Sequence, residues 1–241
     1  MPLSGKTVLI TGAARRLGKV MALAVANAGG DVILHHGHSP AEATQTQSEI
    51  QALGRNAHII QADLNDPAQI SAIIPRAVQF GPLFALVNNA SIFDALKLKN
   101  TTLKDWERHQ RVNLSAPFLL SQAFAAHVGK DTTGRIINIL DWRALRPEAD
   151  HLPYTISKAG LAALTKSLAI ALAPNIIVNG LAFGAILPPS DGNLNEDLLA
   201  QVPAKRWARL DEVGRALLFL LTGPTYITGE IIHLDGGRHL V

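Results

Sequence analysis

Tyr154 and Lys158 stand four residues apart at the start of a segment, 154–172, whose apolar residues recur with helical spacing. Side chains four apart share one helix face. A phenol with a free pKa of about 10 is a poor proton donor or acceptor at neutral pH. A neighbouring ammonium favours the phenolate and lowers that pKa, which makes general acid/base work feasible. The spacing alone is weak, because exposed helix pairs of this kind arise by chance. A second stretch, Thr11-Gly12-Ala13-Ala14-Arg15-Arg16-Leu17-Gly18, joins the apolar run 7–10 to an apolar-periodic segment at 17–29. That is strand, glycine turn, helix. Backbone N–H groups at such a helix start attract phosphate, and glycine lets the chain turn tightly against a ligand. Most dinucleotide turns carry a further glycine near position 16, where this chain has arginine. A third residue, Asp141, follows the run Ile136-Ile137-Asn138-Ile139-Leu140 and places a carboxyl at a strand end.

The elements that must position these residues alternate along the chain. Strand signals fall at 7–10, 31–35, 57–61, 84–88, 135–140, 176–179 and 230–234. Helical patterns fall at 17–29, 40–53, 67–80, 103–128, 154–172 and 211–221. Ser39 before Pro40 and Asp66 before Pro67 read as N-caps followed by proline in the first turn. Alternation of this kind predicts an α/β fold: a Rossmann-like, doubly wound parallel sheet of seven strands with helices on both faces. Ligands then sit at the carboxyl ends of the strands. One domain over 1–241 is expected, with a substrate-covering loop at about 182–206.

Composition narrows the class. Hydrophobic residues make up 48% of the 241 and charged residues 17%, which suits a buried core. Cysteine is absent, so disulfides, thiol catalysis and cysteine zinc sites are excluded. Lys and Arg exceed Asp and Glu only by 22 to 19, with no basic run, so a nucleic-acid partner is not expected. Residues 1–6 lack an apolar leader. The most apolar helix candidate, 160–173, holds Lys166 and falls short of the roughly 20 residues a bilayer needs. A cytoplasmic protein without a membrane partner is the expectation.

Taken together, Thr11-Gly12 to Gly18, Asp63-Leu64, Asn88-Asn89-Ala90, Asn113, Tyr154-x3-Lys158 and Asp235-Gly236-Gly237 resemble the short-chain dehydrogenase/reductase family over essentially the whole chain. Within it, four features look like pteridine reductases. They are Arg16 in the turn, Asp141 where the usual catalytic serine stands, Ser91-Ile92-Phe93 past the fourth strand, and His35-His36-Gly37-His38-Ser39 after the second. The resemblance implies Asp141, Tyr154, Lys158 and Asn113 as catalytic residues, with Asn113 holding a water that links Lys158 to solvent. It implies a cofactor bound by Gly12, Arg15, Arg16, Leu17, Gly18, Asp63, Leu64, Asn89, Ala90, Ser91, Tyr154, Lys158, Gly184 and Ile186. It also implies a homotetramer.

Charge selects the cofactor. A site preferring NAD usually has an acid after the second strand, on the ribose 2′-OH. Here stand His35, His36, His38 and Ser39, with Arg16 in the adjoining turn. A 2′-phosphate wants such donors, so NADPH is expected. The related reductases usually have arginine at the place of His38. Without an acid or cysteine nearby, the histidines do not read as a metal site. A pterin is a flat ring with several donors and acceptors. Phe93 would stack on one face, Ser91 bond its edge, and Arg16 reach both pterin and phosphate. The plainer alternatives are a core Phe93, a Ser91 satisfying backbone, and an Arg16 used by cofactor alone. Asp141 beside Tyr154 suits proton delivery to a ring nitrogen. The expected activity is NADPH-dependent reduction of a pterin, with dihydrofolate as a further substrate. Its rivals are a carbonyl reductase acting on a 3-oxoacyl thioester and a dinucleotide-sensing protein with a dead site.

Overall fold

Alternating burial decides the architecture. In β1 (Thr7–Ile10), Val8 and Ile10 enter one apolar cluster and Leu9 enters another. The same division runs through β2 (Asp31–His36), where Val32 and Leu34 face one way and Ile33 the other. A strand buried on both faces belongs inside a parallel sheet covered by helices. The computed structural model describes residues 1–129, 133–187 and 199–241. Its remaining strands are β3 (Ala57–Gln61), β4 (Leu83–Asn88), β5 (Gly134–Asp141), β6 (Ile176–Phe183) and β7 (Ile231–Leu234). All seven pair in parallel in the order β3-β2-β1-β4-β5-β6-β7. The winding therefore reverses between β1 and β4, where a crevice opens at the strand ends.

One face is covered by α1 (Arg16–Asn27), α2 (Pro40–Ala52) and α7 (Leu210–Thr222), through Met21, Val25, Ile50, Val213 and Leu217. The other is covered by α3 (Pro67–Ala77), α5 (Ala116–His127) and α6 (Leu152–Leu172), through Ile70, Ile74, Leu120, Phe124 and Ala169. Asp66 caps α3 by accepting from the Ala68 N–H at 2.9 Å. Ser39 precedes α2 as expected, but its side chain makes no capping bond.

Three expectations change. The helix expected over 103–128 divides into α4 (Leu103–Gln110), a π-helical turn over Arg111–Ser115, and α5. Pro117 has no N–H for the Asn113 carbonyl four residues back, and its ring crowds that carbonyl, so the ladder widens there. Strand β6 runs four residues past Asn179, because that side chain donates to Ile227 O at 2.8 Å and accepts from Glu230 N at 2.9 Å. Finally, α6 begins at Leu152 and has 21 residues, long and apolar enough to cross a membrane by length and composition. It instead lies along the sheet, where Asn138 Nδ2 of β5 donates to Thr165 Oγ1 at 2.9 Å. Residues 188–198 of the expected substrate loop lie outside the described residues.

Candidate active site

A cleft of about 600 Å³ opens at the β1/β4 reversal. It is lined by Gly12, Arg15, Arg16, Leu17 and Gly18 of the turn, His35, His38 and Ser39 past β2, Asp63 and Leu64 past β3, and Asn89 to Phe93 past β4. A second chamber of about 250 Å³ adjoins it, lined by Asp141, Tyr154, Lys158, Gly184 and Ile186. Arg16, Leu17, Asn89, Ser91 and Phe93 line both. The fold thus gathers into one continuous space every expected site residue except His36 and Asn113.

The turn is built by close contacts. A Cβ on Gly18 would meet the Gly12 carbonyl oxygen at 2.0 Å, so only glycine fits. Asn89 Nδ2 donates to Thr11 O at 2.8 Å and Gly12 O at 3.1 Å, tying the turn to β4. Arg16 has φ +50°, the left-handed region that glycine favours. The position therefore has the backbone of the expected glycine with an arginine side chain mounted on it.

The histidines divide by role. His35 is buried, accepts from the Gly12 N–H at Nδ1 over 3.3 Å, and lies 3.0 Å from Ala62 O at Nε2. These partners set the tautomer with the proton on Nε2. Burial lowers its pKa to about 4, so it is neutral at physiological pH. The expected phosphate donor is thus a strut between turn and sheet. His36 is also buried and accepts from the Ser39 N–H at 3.4 Å, and it does not line the cleft. His38 and Ser39 remain at its edge.

In the second chamber, the Tyr154 hydroxyl donates to Asp141 Oδ2 at 3.1 Å. Asp141 ends β5, and its Oδ1 accepts from the Arg143 N–H at 2.9 Å. Burial pushes the Asp141 carboxyl above the usual carboxylate range, against the pull of Arg143, Tyr154 and Lys158. Burial and the Asp141 charge raise the Tyr154 phenol well above its ordinary value. This corrects the expectation of a tyrosine activated by Lys158. That ammonium donates to Ile139 O at 2.8 Å and lies 5.7 Å from the tyrosine ring centroid. Burial lowers Lys158 to about 8, with Asp141 opposing.

Asn113 sits in the π-helical turn and is wholly buried. Its Nδ2 donates to Ile92 O and Ser157 Oγ, both at 3.0 Å, and its Oδ1 accepts from Ile92 N at 2.9 Å. Its side chain thus joins the loop past β4 to α6. Gly184 is likewise structural, since a Cβ there would meet the Asp235 Cα at 2.6 Å. Phe93 stacks on His151, with ring centroids 3.9 Å apart and planes at 5°, and meets Tyr154 edge-on at 4.5 Å. Arg206 pairs with Glu212 through two contacts of 2.8 Å and does not line the cleft. Sequence reading missed Arg143, His151 and Ser157. Arg143, two residues past Asp141, was the most findable.

Residues 6–199 match the family model described as short chain dehydrogenase, and the chain belongs to that family of oxidoreductases. The 3-oxoacyl-[acyl-carrier-protein] reductase of Synechocystis sp. is 34% identical over 98% of this chain and 97% of that protein. The structure of FolM Alternative dihydrofolate reductase 1 from Brucella canis, complexed with NADP, is 35% identical with a TM-score of 0.92. That match covers 100% of this chain and 97% of the other. A short chain dehydrogenase from Burkholderia cenocepacia in complex with NADP is 35% identical, with a TM-score of 0.93 and 99% of each chain covered.

Proposed function

We propose that this protein reduces pterins with NADPH, taking a dihydropterin or pterin to the tetrahydro form and accepting dihydrofolate as a further substrate. The contact that carries the reading is Tyr154 to Asp141 at 3.1 Å. A hydroxyl beside the tyrosine would suit a ketone oxygen. A buried carboxyl, raised above the usual carboxylate range, instead suits proton delivery to a ring nitrogen.

The cleft suits NADPH. The glycine turn and the start of α1 offer backbone N–H groups to phosphate. Arg16, His38 and Ser39 border the space past β2, where no acid follows the strand. Asp63 and Leu64 would border the adenine, and Lys158 the nicotinamide ribose. When bound, the cofactor supplies the hydride that goes to the ring carbon. Phe93, Ser91 and Arg16 hold the substrate ring, and Asp141 with Tyr154 supplies the proton to the adjacent nitrogen. The NADP-bound Brucella protein, named a dihydrofolate reductase, supports both cofactor and substrate class.

A homotetramer in the cytoplasm completes the reading. Exposed Ile170 on α6 and Phe219 on α7 are apolar surface that such an assembly would cover. A second reading, ketone reduction of a 3-oxoacyl thioester, has support from the Synechocystis relative. The deciding experiment follows NADPH oxidation with a dihydropterin against an acetoacetyl thioester. The dihydropterin is expected to be preferred, and preference for the thioester rejects the pterin reading.

A further inference from the structure

Arg143 stands outside every motif read from the sequence. Its side chain is largely buried, and its guanidinium meets three carboxylates: Asp141 Oδ1 at 3.8 Å, Glu148 Oε2 at 3.4 Å and Asp150 Oδ2 at 3.4 Å. It lies 4.8 Å from the Trp142 ring centroid and 5.8 Å from that of Phe93. Its Nε is buried without a hydrogen-bond partner. Burying a guanidinium is costly unless its partners repay the lost water. Glu148 and Asp150 are part-exposed and could be paired from the surface at less cost. Burial beside Asp141 is what a surface ion pair would not need.

Two groups of the second chamber meet through this one side chain. Asp141 holds the Tyr154 hydroxyl, and Asp150 precedes His151, the ring stacked on Phe93. His151 has φ +48°, so something must hold it in that left-handed conformation. The charged and titratable groups facing Asp141 are Tyr154 and Lys158 from α6, Arg143 from the turn after β5, Arg16 across the chamber and Arg238 from the C-terminal turn.

We propose that Arg143 is a positioning residue for the reaction: its guanidinium holds the Asp141 carboxyl against Tyr154 and, through Glu148 and Asp150, keeps His151 on Phe93. This rests on reading Asp141 and Tyr154 as the proton-handling pair. A cation this close favours the charged carboxylate, while the two outer acids divide its charge. Proton occupancy at Asp141 then belongs to the cluster rather than to one residue.

The test is carboxyl 13C NMR of aspartate-labelled protein without added ligand, with Asp141→Asn assigning the signal. Arg143→Gln is expected to raise the Asp141 midpoint by about one pH unit or more. The double variant Glu148→Gln/Asp150→Asn is expected to lower it, and Arg143→Lys to restore part of the shift. In turnover, Arg143→Gln is expected to lower kcat by about tenfold or more and move its alkaline limb upward, with the NADPH KM held within about twofold. An unmoved Asp141 midpoint overturns the proposal, as does a shift of the same sign in both variants. Should circular dichroism show that Arg143→Gln does not fold, the double variant decides: a fall supports, no change overturns. The NMR arm uses no substrate, so a protein that ignores dihydropterins would sink the pterin reading and leave this one standing.

Discussion

The Tyr154 hydroxyl donates to Asp141 Oδ2 across 3.1 Å, from the first turn of a helix to the last residue of a strand. Both groups are shifted upward: burial raises the carboxyl, and burial with the Asp141 charge raises the phenol. On the proposed function, the tyrosine acts as a phenol that passes on a proton supplied through the carboxyl.

Asp141→Asn keeps the shape and removes the acid. Its kcat for a dihydropterin is expected to fall about 100-fold or more, measured by NADPH oxidation. Stability moves the other way. A carboxyl whose folded pKa is raised destabilises the fold as pH climbs from the ordinary carboxylate range through the raised value. The variant should therefore melt higher than the parent at pH 7 and lose that advantage in acid, checked by thermal denaturation at both pH values.

His35 gives the opposite sign. Its folded pKa is about 4 against 6.5 when unfolded, so the stability it confers is complete above 6.5 and drains away as pH falls toward 4. The whole effect is on the order of 3 kcal/mol. His35→Leu strands the Gly12 N–H and the Ala62 carbonyl and should cost about 1–3 kcal/mol at pH 7. The variant should also show a flatter dependence of Tm on pH between 6.5 and 4, read by calorimetry.

Asn113→Ala removes two hydrogen bonds to Ile92 in the loop past β4 and one to Ser157 of α6. A loss of about 2 kcal/mol in urea unfolding is expected, because the Ile92 backbone groups are left without their partner. Phe93 follows Ile92, so the dihydropterin KM should rise more than the NADPH KM. Equal changes would count against this link.

Arg16→Gly should relieve the backbone, since a side chain in the left-handed region costs about 1–2 kcal/mol, at the expense of the contact the arginine makes. It should also weaken NADPH and pterin together, because Arg16 lines both chambers. Titrating each ligand by fluorescence separates the two effects, and loss of neither would remove the double role.

The sheet was legible because its strands alternate their apolar side chains between two helix layers. Where polar residues broke the pattern, the reading stopped short: Asn179 looked like the end of β6, yet its amide is satisfied across the sheet edge. Pro117 lacks the N–H that would continue the ladder, yet the sequence reads as a single helix through it. The cleft was legible from the glycine turn, because Gly18 must pack on Gly12. Roles within it were less so. His35, His36 and Asn113 carry polar groups that serve ligands or backbone equally well, and only three-dimensional partners distinguish the two uses. Arg143 sits in no motif, and its importance comes from Glu148 and Asp150 folding back over it.

The left-handed backbone at Arg16 bears on how this sequence can change over time. At most positions, mutation erodes stability and function alike. Here glycine would relieve the backbone, so an arginine is kept only by what its side chain does. If the proposed double role holds, a relative that does not use this substrate would be free to carry glycine at position 16.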